Sequence, residues 1–582
     1  KPGPAPRCRE RASRPSPGAT LLGMQAAHPA QPRSGPLPWF LLFGLALLLV
    51  FPGTPLETGV TGQDEYWLTL RTPIEMLAAD QYWTPLLNGE PRLRKPPLVY
   101  WAIAGAYGLF GIELWAARLV GVLSAAALAL AAVGLAARLG GARPRLAGAL
   151  VLAASGVAIE GRRAMLDLPL AAWVGLSVWA AAAALAPGLP RGRQAAWAGL
   201  AGAALALAAL IKGPVALLFA GSAALAGLWT FPGARQRAAA TSFWLPGLGL
   251  LLLLALPWPI SMRLLWPEFG AVLSEESGAR RWSFLPIVSI GPVIGGLLGN
   301  CVPWSFVLLA GLWAGLRPGA SPAARFFARW VLLGAAPFLF FKSFERYLIP
   351  LVLPMAGLIA EELLRRPRPR AQLLGAAALL ALPTALFALF GWRFAGALLA
   401  PAAALAALAA LWLCAWRCRT EAAVWCAAAC LAANLGLVYP TLGINRIPAG
   451  FERHGQGRAV FSFEGTQPAM LSMRLGRSVQ PLQLSQPDGL DRALASAAVV
   501  YLDAAKLPEF EAAAGARGAL WRELERVPAL YARKNWIKFA RPGATRADWL
   551  AAWRSRSFGP IANQLVALEC WPSAAAPADP GR

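Results

Sequence analysis

The segment from Gly62 to Trp101 contains the residues of this chain that are best suited to chemistry. It begins with two adjacent acids, Asp64 and Glu65, and it contains a lysine, Lys95, directly before two prolines. A carboxylate can accept a proton from an attacking hydroxyl, and a cation can stabilise the charge that develops on a leaving phosphate. Because a residue before proline is restricted to extended backbone, Lys95 is held at little entropic cost. The pattern predicts Asp64 as a catalytic base and Lys95 as a phosphate ligand.

Six other residues complete the set of candidates for catalysis and for phosphate or sugar binding. They are Glu65, Asp167, Arg92, Arg94, Arg346 and Tyr347. We expect Glu65 to orient a partner of Asp64 or to bind a metal. Each candidate also has a structural alternative, because acids favour helix starts, long cationic side chains extend to a membrane interface, and aromatic side chains anchor there.

The composition predicts a membrane protein in which these residues lie between spanning helices. Only 14% of the 582 residues are charged, against about 25% in soluble domains, and 57% are hydrophobic. Apolar runs recur from Leu37 to Val438, and about 20 apolar residues are enough to cross a bilayer. The net charge of +25 lies in short arginine clusters between these runs, which is typical of membrane topology rather than of a nucleic-acid groove.

Thirteen spans are predicted, and every second connecting loop is rich in arginine. The positive-inside rule places those loops in the cytoplasm, and it places Asp64 and the C-terminal tail outside. The expected organisation is an N-terminal cytoplasmic segment 1–36, with Met24 as an alternative start, a transmembrane domain 37–440 with an external catalytic loop 54–97, and a small α/β domain 441–582. The region 98–118 is expected to be either a surface helix or a further span.

Cysteine and histidine contribute little to the predicted site. Seven cysteines form no disulfide framework and no zinc pattern, and the two histidines lie outside the apolar runs. Cysteine pairs four residues apart in the apolar run near Cys426 are expected to behave as small buried hydrophobes. A histidine-based triad is therefore not expected.

The order of several motifs resembles the bacterial ArnT-like branch of the protein-mannosyltransferase superfamily. The first of them lie in the segment that carries the acidic pair, and the others occur at later span ends in the same order as in that branch. The matching motifs are Asp64-Glu65, Glu75–Ala78, Trp83–Gly89, Lys95–Trp101, Arg163–Asp167, Lys212–Pro214 and Lys342–Pro350.

The resemblance implies a polytopic α-helical glycosyltransferase of the GT-C type, with about 13 transmembrane helices and a small periplasmic α/β domain at the C-terminus. Such enzymes reside in the bacterial inner membrane and take a sugar from a polyprenyl phosphate, usually undecaprenyl phosphate. The acceptor is a hydroxyl or phosphate of lipid A or a protein. The first external aspartate, here Asp64, is the proposed catalytic carboxylate of the family.

This sequence also departs from the family pattern. Leu93-Arg94 stands where an aromatic–acid pair is usual, Trp67-Leu68 replaces an Arg-Tyr pair, and 263–286 lacks the histidine that some relatives have. The extra positive charge at Arg92 and Arg94 favours an anionic partner such as a phosphorylated lipid. The identity of the sugar and a divalent metal are left open.

Two other classes of protein remain as alternatives. A lipid or glycan transporter usually has internal repeats and charges near the bilayer midplane, whereas this chain has its charges at span ends and shows no repeat. A non-catalytic membrane assembly protein would tolerate the altered residues of the first loop. Replacement of Asp64 by asparagine separates both classes from an enzyme.

Overall fold

The computed structural model describes residues 37–62, 64–239, 244–278, 289–463, 471–484, 490, 491, 493, 496, 498–531 and 536–572. Leu42–Arg582 forms one compact unit. Of the other unit, Lys1–Leu41, the described residues are the first turn of helix α1. The predicted segment 1–36 and the pair Arg280-Arg281 lie outside the described residues.

Helices dominate the chain as far as Thr441. They are α1 (Leu37–Val50), α2 (Arg71–Ala78), α3 (Leu98–Phe110), α4 (Leu114–Arg138), α5 (Pro144–Leu152), α6 (Ser155–Glu160), α7 (Asp167–Ala184), α8 (Arg191–Lys212), α9 (Pro214–Thr230), α10 (Pro232–Ala238), α11 (Leu245–Ala255), α12 (Pro257–Leu265), α13 (Phe269–Gly278), α14 (Ile290–Gly299), α15 (Ser305–Leu316), α16 (Pro322–Ala335), α17 (Val352–Arg365), α18 (Arg370–Ala395), α19 (Leu399–Trp416), α20 (Thr420–Ala433) and α21 (Tyr439–Thr441).

The chain is a polytopic α-helical membrane protein. Among the described residues, eight helices are long and apolar enough to cross a membrane, or nine if the bent pair α9–α10 counts as one span. The predicted number of thirteen is not confirmed, because several predicted spans are short or broken helices. The predicted span 146–160 is divided into α5 and α6, and 288–314 is divided into α14 and α15.

Proline and glycine determine several of these breaks. Pro232 and Pro257 each begin a helix one residue after the preceding helix has ended. Proline favours such a break because it cannot continue the hydrogen bonding of a helix interior. Gly213 has a φ of 59° and connects α8 to α9 in a single residue. A side chain would be strained in that conformation, so glycine allows Lys212 to lie at the end of α8 immediately before the turn.

The first connecting segment, between α1 and α4, contains short elements and no span. A π-helical turn (Glu65–Thr69) leads into α2, and the two-residue strands β1 (Leu86–Leu87) and β2 (Glu90–Pro91) form a small hairpin. The region 98–118, predicted as one surface helix or span, consists of a short apolar helix, α3, and the first turn of α4.

The tail contains a five-stranded sheet with two short helices, α22 (Leu471–Leu475) and α23 (Leu507–Gly515), and a third helix, α24 (Arg546–Ser555). The strands are β3 (Val460–Phe463), β4 (Gln480–Leu482), β5 (Val499–Asp503), β6 (Ala519–Ala529) and β7 (Asn563–Pro572), in the spatial order β4-β3-β5-β7-β6. β3 is parallel to β4 and β5, whereas β7 is antiparallel to β5 and β6. The sheet confirms an α/β tail, although the predicted strand at 536–540 is a turn.

Candidate active site

Four element ends bring the candidate residues together. Asp64 precedes the π-helical turn, Asp167 is the first residue of α7, Lys212 is the last residue of α8, and Arg346 lies in the 3₁₀ turn that leads into α17. Loops and helix ends can present charged groups because their backbone polar atoms and side chains do not need to enter the apolar interior. The site is therefore built at one end of the helical bundle.

A chain of alternating charges connects these ends, and we call it the ion-pair chain. Arg346 bonds to Asp64 and also lies 3.8 Å from the Oδ2 of Asp167, while Lys212 Nζ lies 2.5 Å from the Oδ1 of Asp167. The two aspartates differ in access, because the side chain of Asp64 is 40% exposed and that of Asp167 is 3% exposed. Of the two carboxylates in the ion-pair chain, Asp64 is thus the one that a second molecule can reach.

A small cleft lies beside the ion-pair chain. It is lined by two lysines, one tyrosine and four apolar side chains, and we call it the lysine cleft (Lys95, Leu170, Lys212, Val215, Phe338, Phe341 and Tyr347). The Lys212 ammonium lies 4.7 Å from the centroid of the Tyr347 ring. The cleft combines cations with an apolar lining, which suits an anionic headgroup attached to a hydrocarbon tail.

Glu65 lies apart from this cleft and is fully buried. Its carboxylate pairs with Arg118 at 2.9 Å, and it accepts hydrogen bonds from the Thr61 hydroxyl at 2.5 Å and from the Ala164 backbone N–H at 2.8 Å. Burial alone would raise the pKa of Glu65, but the Arg118 guanidinium and these hydrogen bonds hold it below its ordinary value. A carboxylate occupied in this way has no free face for a substrate.

Arg92 and Arg94 have partners of their own. Arg92 Nε donates to the Tyr100 hydroxyl at 3.0 Å, and Arg94 lies 3.7 Å from Glu275 with 63% of its side chain exposed. Neither residue lines the lysine cleft. The structure therefore brings together five of the eight predicted site residues, Asp64, Asp167, Arg346, Lys95 and Tyr347, through the ion-pair chain and the adjoining cleft.

The carboxylates that the structure describes at this site are each paired with a cation, and they do not form an oxygen ligand set for Mg²⁺ or Ca²⁺. Asp64 and Asp167 are held by arginine or lysine, and Glu160 is paired with Arg163 at 2.6 Å. Among the residues that the structure describes, no group of three or more His, Cys, Asp or Glu side chains could hold a metal ion. Since Mg²⁺ and Ca²⁺ need several oxygen ligands, the donor set of this site does not fit such an ion.

Comparison with known proteins agrees with this geometry. Residues 63–272 match the family described as dolichyl-phosphate-mannose-protein mannosyltransferase. The overall structure is similar to the crystal structure of ArnT from Cupriavidus metallidurans bound to undecaprenyl phosphate, with a TM-score of 0.67 and 19% identity, covering 94% of this chain and 100% of that one. The chain therefore has the same fold as this ArnT, and part of it matches the mannosyltransferase family model.

Curated relatives match about half of this chain. The undecaprenyl phosphate-alpha-4-amino-4-deoxy-L-arabinose arabinosyl transferase of Pseudomonas aeruginosa is 30% identical over 311 residues, which are 50% of this chain and 54% of that protein. A transferase of the same name, numbered 1, from Pseudomonas fluorescens is 29% identical over 310 residues, again 50% and 54%. The chain thus spans about half the length of the curated relatives that it matches.

The candidate site also includes residues that the sequence pattern did not predict. In the sequence Lys212 stands out only as part of the motif Lys212–Pro214, and the structure shows that it connects the ion-pair chain to the lysine cleft. Arg118, the partner of Glu65, was not singled out, although a lone arginine in the apolar run of α4 is a recognisable signal. Arg163 packs under Gly62, where a Cβ would lie 2.4 Å from its Nη2, so glycine allows this arginine to support the segment before Asp64.

Proposed function

We propose that this protein transfers a sugar from a polyprenyl phosphate carrier to an acceptor hydroxyl or phosphate, with lipid A as the first acceptor to test. The observation that carries the proposal is the position of one exposed carboxylate, Asp64, at the end of an ion-pair chain that leads into the lysine cleft. The names of the relatives support undecaprenyl phosphate as the carrier and aminoarabinose as the first sugar to test.

The charges of the site suit the change in charge during such a transfer. The acceptor oxygen forms a bond to the anomeric carbon while the bond from that carbon to the phosphate oxygen breaks. A carrier phosphate with one negative charge then leaves with two. Lys95, Lys212 and Arg346 carry three positive charges against two from Asp64 and Asp167, so the site has an excess of one, which stabilises the departing phosphate.

Asp64 and Arg346 are proposed to act at the acceptor side of this site. With a hydroxyl acceptor, Asp64 takes the proton as the new bond forms, and Arg346 orients the carboxylate. With a phosphate acceptor, no proton needs to be removed, and Arg346 can bind the acceptor when it exchanges partners from Asp64. The proton therefore moves to Asp64 when the acceptor is a hydroxyl, and no proton moves when the acceptor is a phosphate.

Asp167, Lys95 and Tyr347 are proposed to act at the donor side. The nearly inaccessible Asp167 fixes Lys212 and Arg346 and does not itself contact substrate. Lys95 and Lys212 bind the carrier phosphate, and Tyr347 packs against the Lys212 ammonium. Leu170, Val215 and Phe338 offer apolar contact to the first prenyl units.

Glu65 is proposed as a positioning residue, in place of a catalytic one. Its contacts join the residue after Asp64 to Arg118 of α4 and to the backbone of Ala164, three residues before Asp167. Contacts of this kind, made by a residue next to the reacting group, hold that group within the narrow range of positions that catalysis requires. Loss of Glu65 is expected to act through the position of Asp64.

The test of the proposed function is replacement of Asp64 by asparagine. Asp64→Asn keeps the shape of the side chain and removes the proton acceptor, so turnover with a hydroxyl acceptor is expected to fall about 100-fold or more. Asp80→Asn is the matched control, because Asp80 is exposed on the same segment and its φ of 51° is one that asparagine tolerates.

The measurement is mass spectrometry of lipid A from cells that make the aminoarabinose donor, combined with binding of undecaprenyl phosphate to the purified chain. Loss of product with unchanged carrier binding and membrane level supports the proposal. Full transfer activity in Asp64→Asn would contradict the role of Asp64 in sugar transfer to a hydroxyl. The sugar would then have to be found on a phosphate group of the product. A transporter would tolerate the substitution while producing no new glycolipid.

Arg92 and Arg94 are proposed to attract an anionic acceptor toward the site. Arg94 is largely exposed and its pair with Glu275 is long, so it can exchange this partner for a phosphate at little cost. The double variant Arg92→Ala/Arg94→Ala is expected to raise the KM for a phosphorylated lipid about tenfold. Unchanged KM for the acceptor, or an equal loss of carrier binding, would exclude this role.

A further inference from the structure

A second cleft lies where α17 ends and α18 begins, and we call it the arginine cleft. Its lining includes Arg143, Arg366, Arg419 and Glu421 beside the apolar side chains of Leu363 and Leu364. The three arginines belong to three different connections, α4–α5, α17–α18 and α19–α20, whereas the leucines lie in the last turn of α17 and Glu421 lies in the first turn of α20. The proposed transfer reaction does not use any of them.

The positive charge of the arginine cleft is only partly balanced by protein groups. Arg366 pairs with Glu362 at 2.9 Å, and this buried carboxylate also binds Arg365 and accepts a hydrogen bond from Gln372. Arg143 and Arg419 form no ion pair within the described part of the chain. With Glu421 as the one acidic residue in the lining, the cleft has an excess of two positive charges.

Three helices begin at this cleft, and their N-termini add to its positive potential. Arg143, Pro369 and Arg419 directly precede the first residues of α5, α18 and α20, and none of these helices has a side-chain cap. The N-terminus of a helix carries roughly half a positive charge and exposes unpaired backbone N–H groups. The convergence of three such ends with two unpaired arginines is suited to a phosphate group.

The arginine cleft lies at the opposite membrane face from the ion-pair chain. The span that carries α17 begins beside Arg346 and ends at Arg365, and its 21 residues have a length of about 30 Å. This length corresponds to the hydrocarbon core of a bilayer. The cleft is therefore at the depth of lipid headgroups, with spanning helices leading from it into the membrane.

We propose that the arginine cleft binds the phosphate group of an anionic phospholipid. Inorganic phosphate has the same charged group, but the neighbouring leucines and the headgroup depth favour a ligand with attached acyl chains. Basic pockets between membrane helices are suited to such headgroups. This inference does not depend on the proposed sugar transfer.

The test measures lipid binding to the full-length chain after purification in a neutral detergent and removal of bound lipid. Short-chain phosphatidylglycerol, short-chain phosphatidylcholine and inorganic phosphate are added separately, and bound ligand is counted by native mass spectrometry. Arg143→Gln/Arg419→Gln is compared with Arg145→Gln/Arg417→Gln. The control residues are adjacent exposed arginines that do not line the cleft, and their loss changes the net charge equally.

Phosphatidylglycerol is expected to bind to the native chain and to the control variant, and about tenfold more weakly to the cleft variant. Equal binding of inorganic phosphate would show a free-anion site and would overturn the lipid assignment. Equal loss in both double variants would show diffuse attraction to the arginine-rich face, and no loss in either would exclude the cleft. The single variants Arg143→Gln and Arg419→Gln provide the same comparison if a double variant is unstable.

Discussion

Access to solvent distinguishes the roles of residues that have the same chemistry. Asp64 and Asp167 both bind Arg346, yet only Asp64 of this pair has a substantially exposed carboxylate. Glu65 is adjacent to Asp64 in sequence and is completely enclosed by protein. The proposed division into one reacting acid and two supporting acids rests on these differences in exposure.

The buried Glu65–Arg118 pair predicts a defined effect on stability. Removing one partner of a fully buried pair leaves an uncompensated charge, so Glu65→Gln is expected to lower the free energy of unfolding by about 3–5 kcal/mol. Thermal unfolding of the detergent-solubilised chain at neutral pH measures this change. Glu113→Gln is the control, because Glu113 is exposed, and an unfolding temperature of Glu65→Gln equal to that of the control would contradict the prediction.

The same pair determines a pH dependence. Because the pKa of Glu65 is lower in the folded protein than its ordinary value of 4.5, the ionised carboxylate stabilises the fold at neutral pH. This contribution is lost as the pH falls below about 4.5 and through the folded-state pKa. The native chain should therefore lose more stability than Glu65→Gln in that acidic range, and parallel pH profiles would argue against the assigned pair.

The candidate residues could be predicted from the sequence, whereas the contacts that separate their proposed roles could not. An acidic pair after the first apolar run and a lysine before two prolines are local patterns. The contact of Glu65 with Arg118 joins residues 53 positions apart, and that of Arg346 with Asp64 joins residues 282 positions apart. Long-range partners of this kind depend on helix packing, which one sequence without relatives does not reveal.

At the scale of elements, the first connecting segment is held by a polar network that includes the tail. Arg71 in α2 bonds to Asn88 at 2.7 Å, to Ser478 at 2.8 Å and to Glu75 at 3.3 Å. The carboxylate of Glu75 in turn accepts bonds from Ser478 and from the backbone N–H of Gly89. This network fixes the β1–β2 hairpin, which directly precedes Arg92–Lys95.

Replacement of Arg71 should therefore affect binding at the lysine cleft from a distance. Arg71→Lys keeps the charge but loses the fork that reaches three partners, so the hairpin and Lys95 become less constrained. The dissociation constant for undecaprenyl phosphate is expected to rise several-fold, on the order of 1 kcal/mol, with a smaller change in kcat. The exposed Arg446→Lys is the control, and equal carrier affinity in the two variants would refute the positioning role.

Element positions were largely predictable, while their continuity was not. The apolar runs predicted α4, α7, α8 and α9 to within a few residues of their ends. Breaks such as the one between α5 and α6 occur where apolar sequence continues, and there the backbone of Ser155 and Gly156 donates to Val302 and Asn300. Hydrogen bonds to a distant segment replace the helical ones at this break. The hydropathy of the sequence does not reveal them.

At the scale of the whole molecule, the tail contacts the rest of the chain at places beyond the Arg71 network, two of which indicate its side of the membrane. Aromatic side chains join α18 to the tail, including the stacked rings of Phe394 and Phe558, whose centroids are 4.0 Å apart. At the second place, Arg474 binds Glu57 at 2.6 Å and Glu452 at 3.0 Å. Because Glu57 lies in the segment before Asp64, the tail and the candidate site are on the same side of the membrane.

The sidedness of the molecule provides the last prediction. We expect the segment with Asp64 and the tail to face the periplasm and the arginine-rich loops to face the cytoplasm, because positive charge is retained inside.

Exposed alanines offer matched reporters in each place: Ala79→Cys beside the site, Ala512→Cys in the tail and Ala142→Cys in an arginine-rich loop. An impermeant maleimide added to cells with a permeabilised outer membrane should label positions 79 and 512, and it should label position 142 only after lysis. The native chain provides the background from its own thiols. The length of α17 requires positions 79 and 142 to report opposite sides, so labelling of 142 without lysis would place the site in the cytoplasm, where a periplasmic acceptor could not reach Asp64.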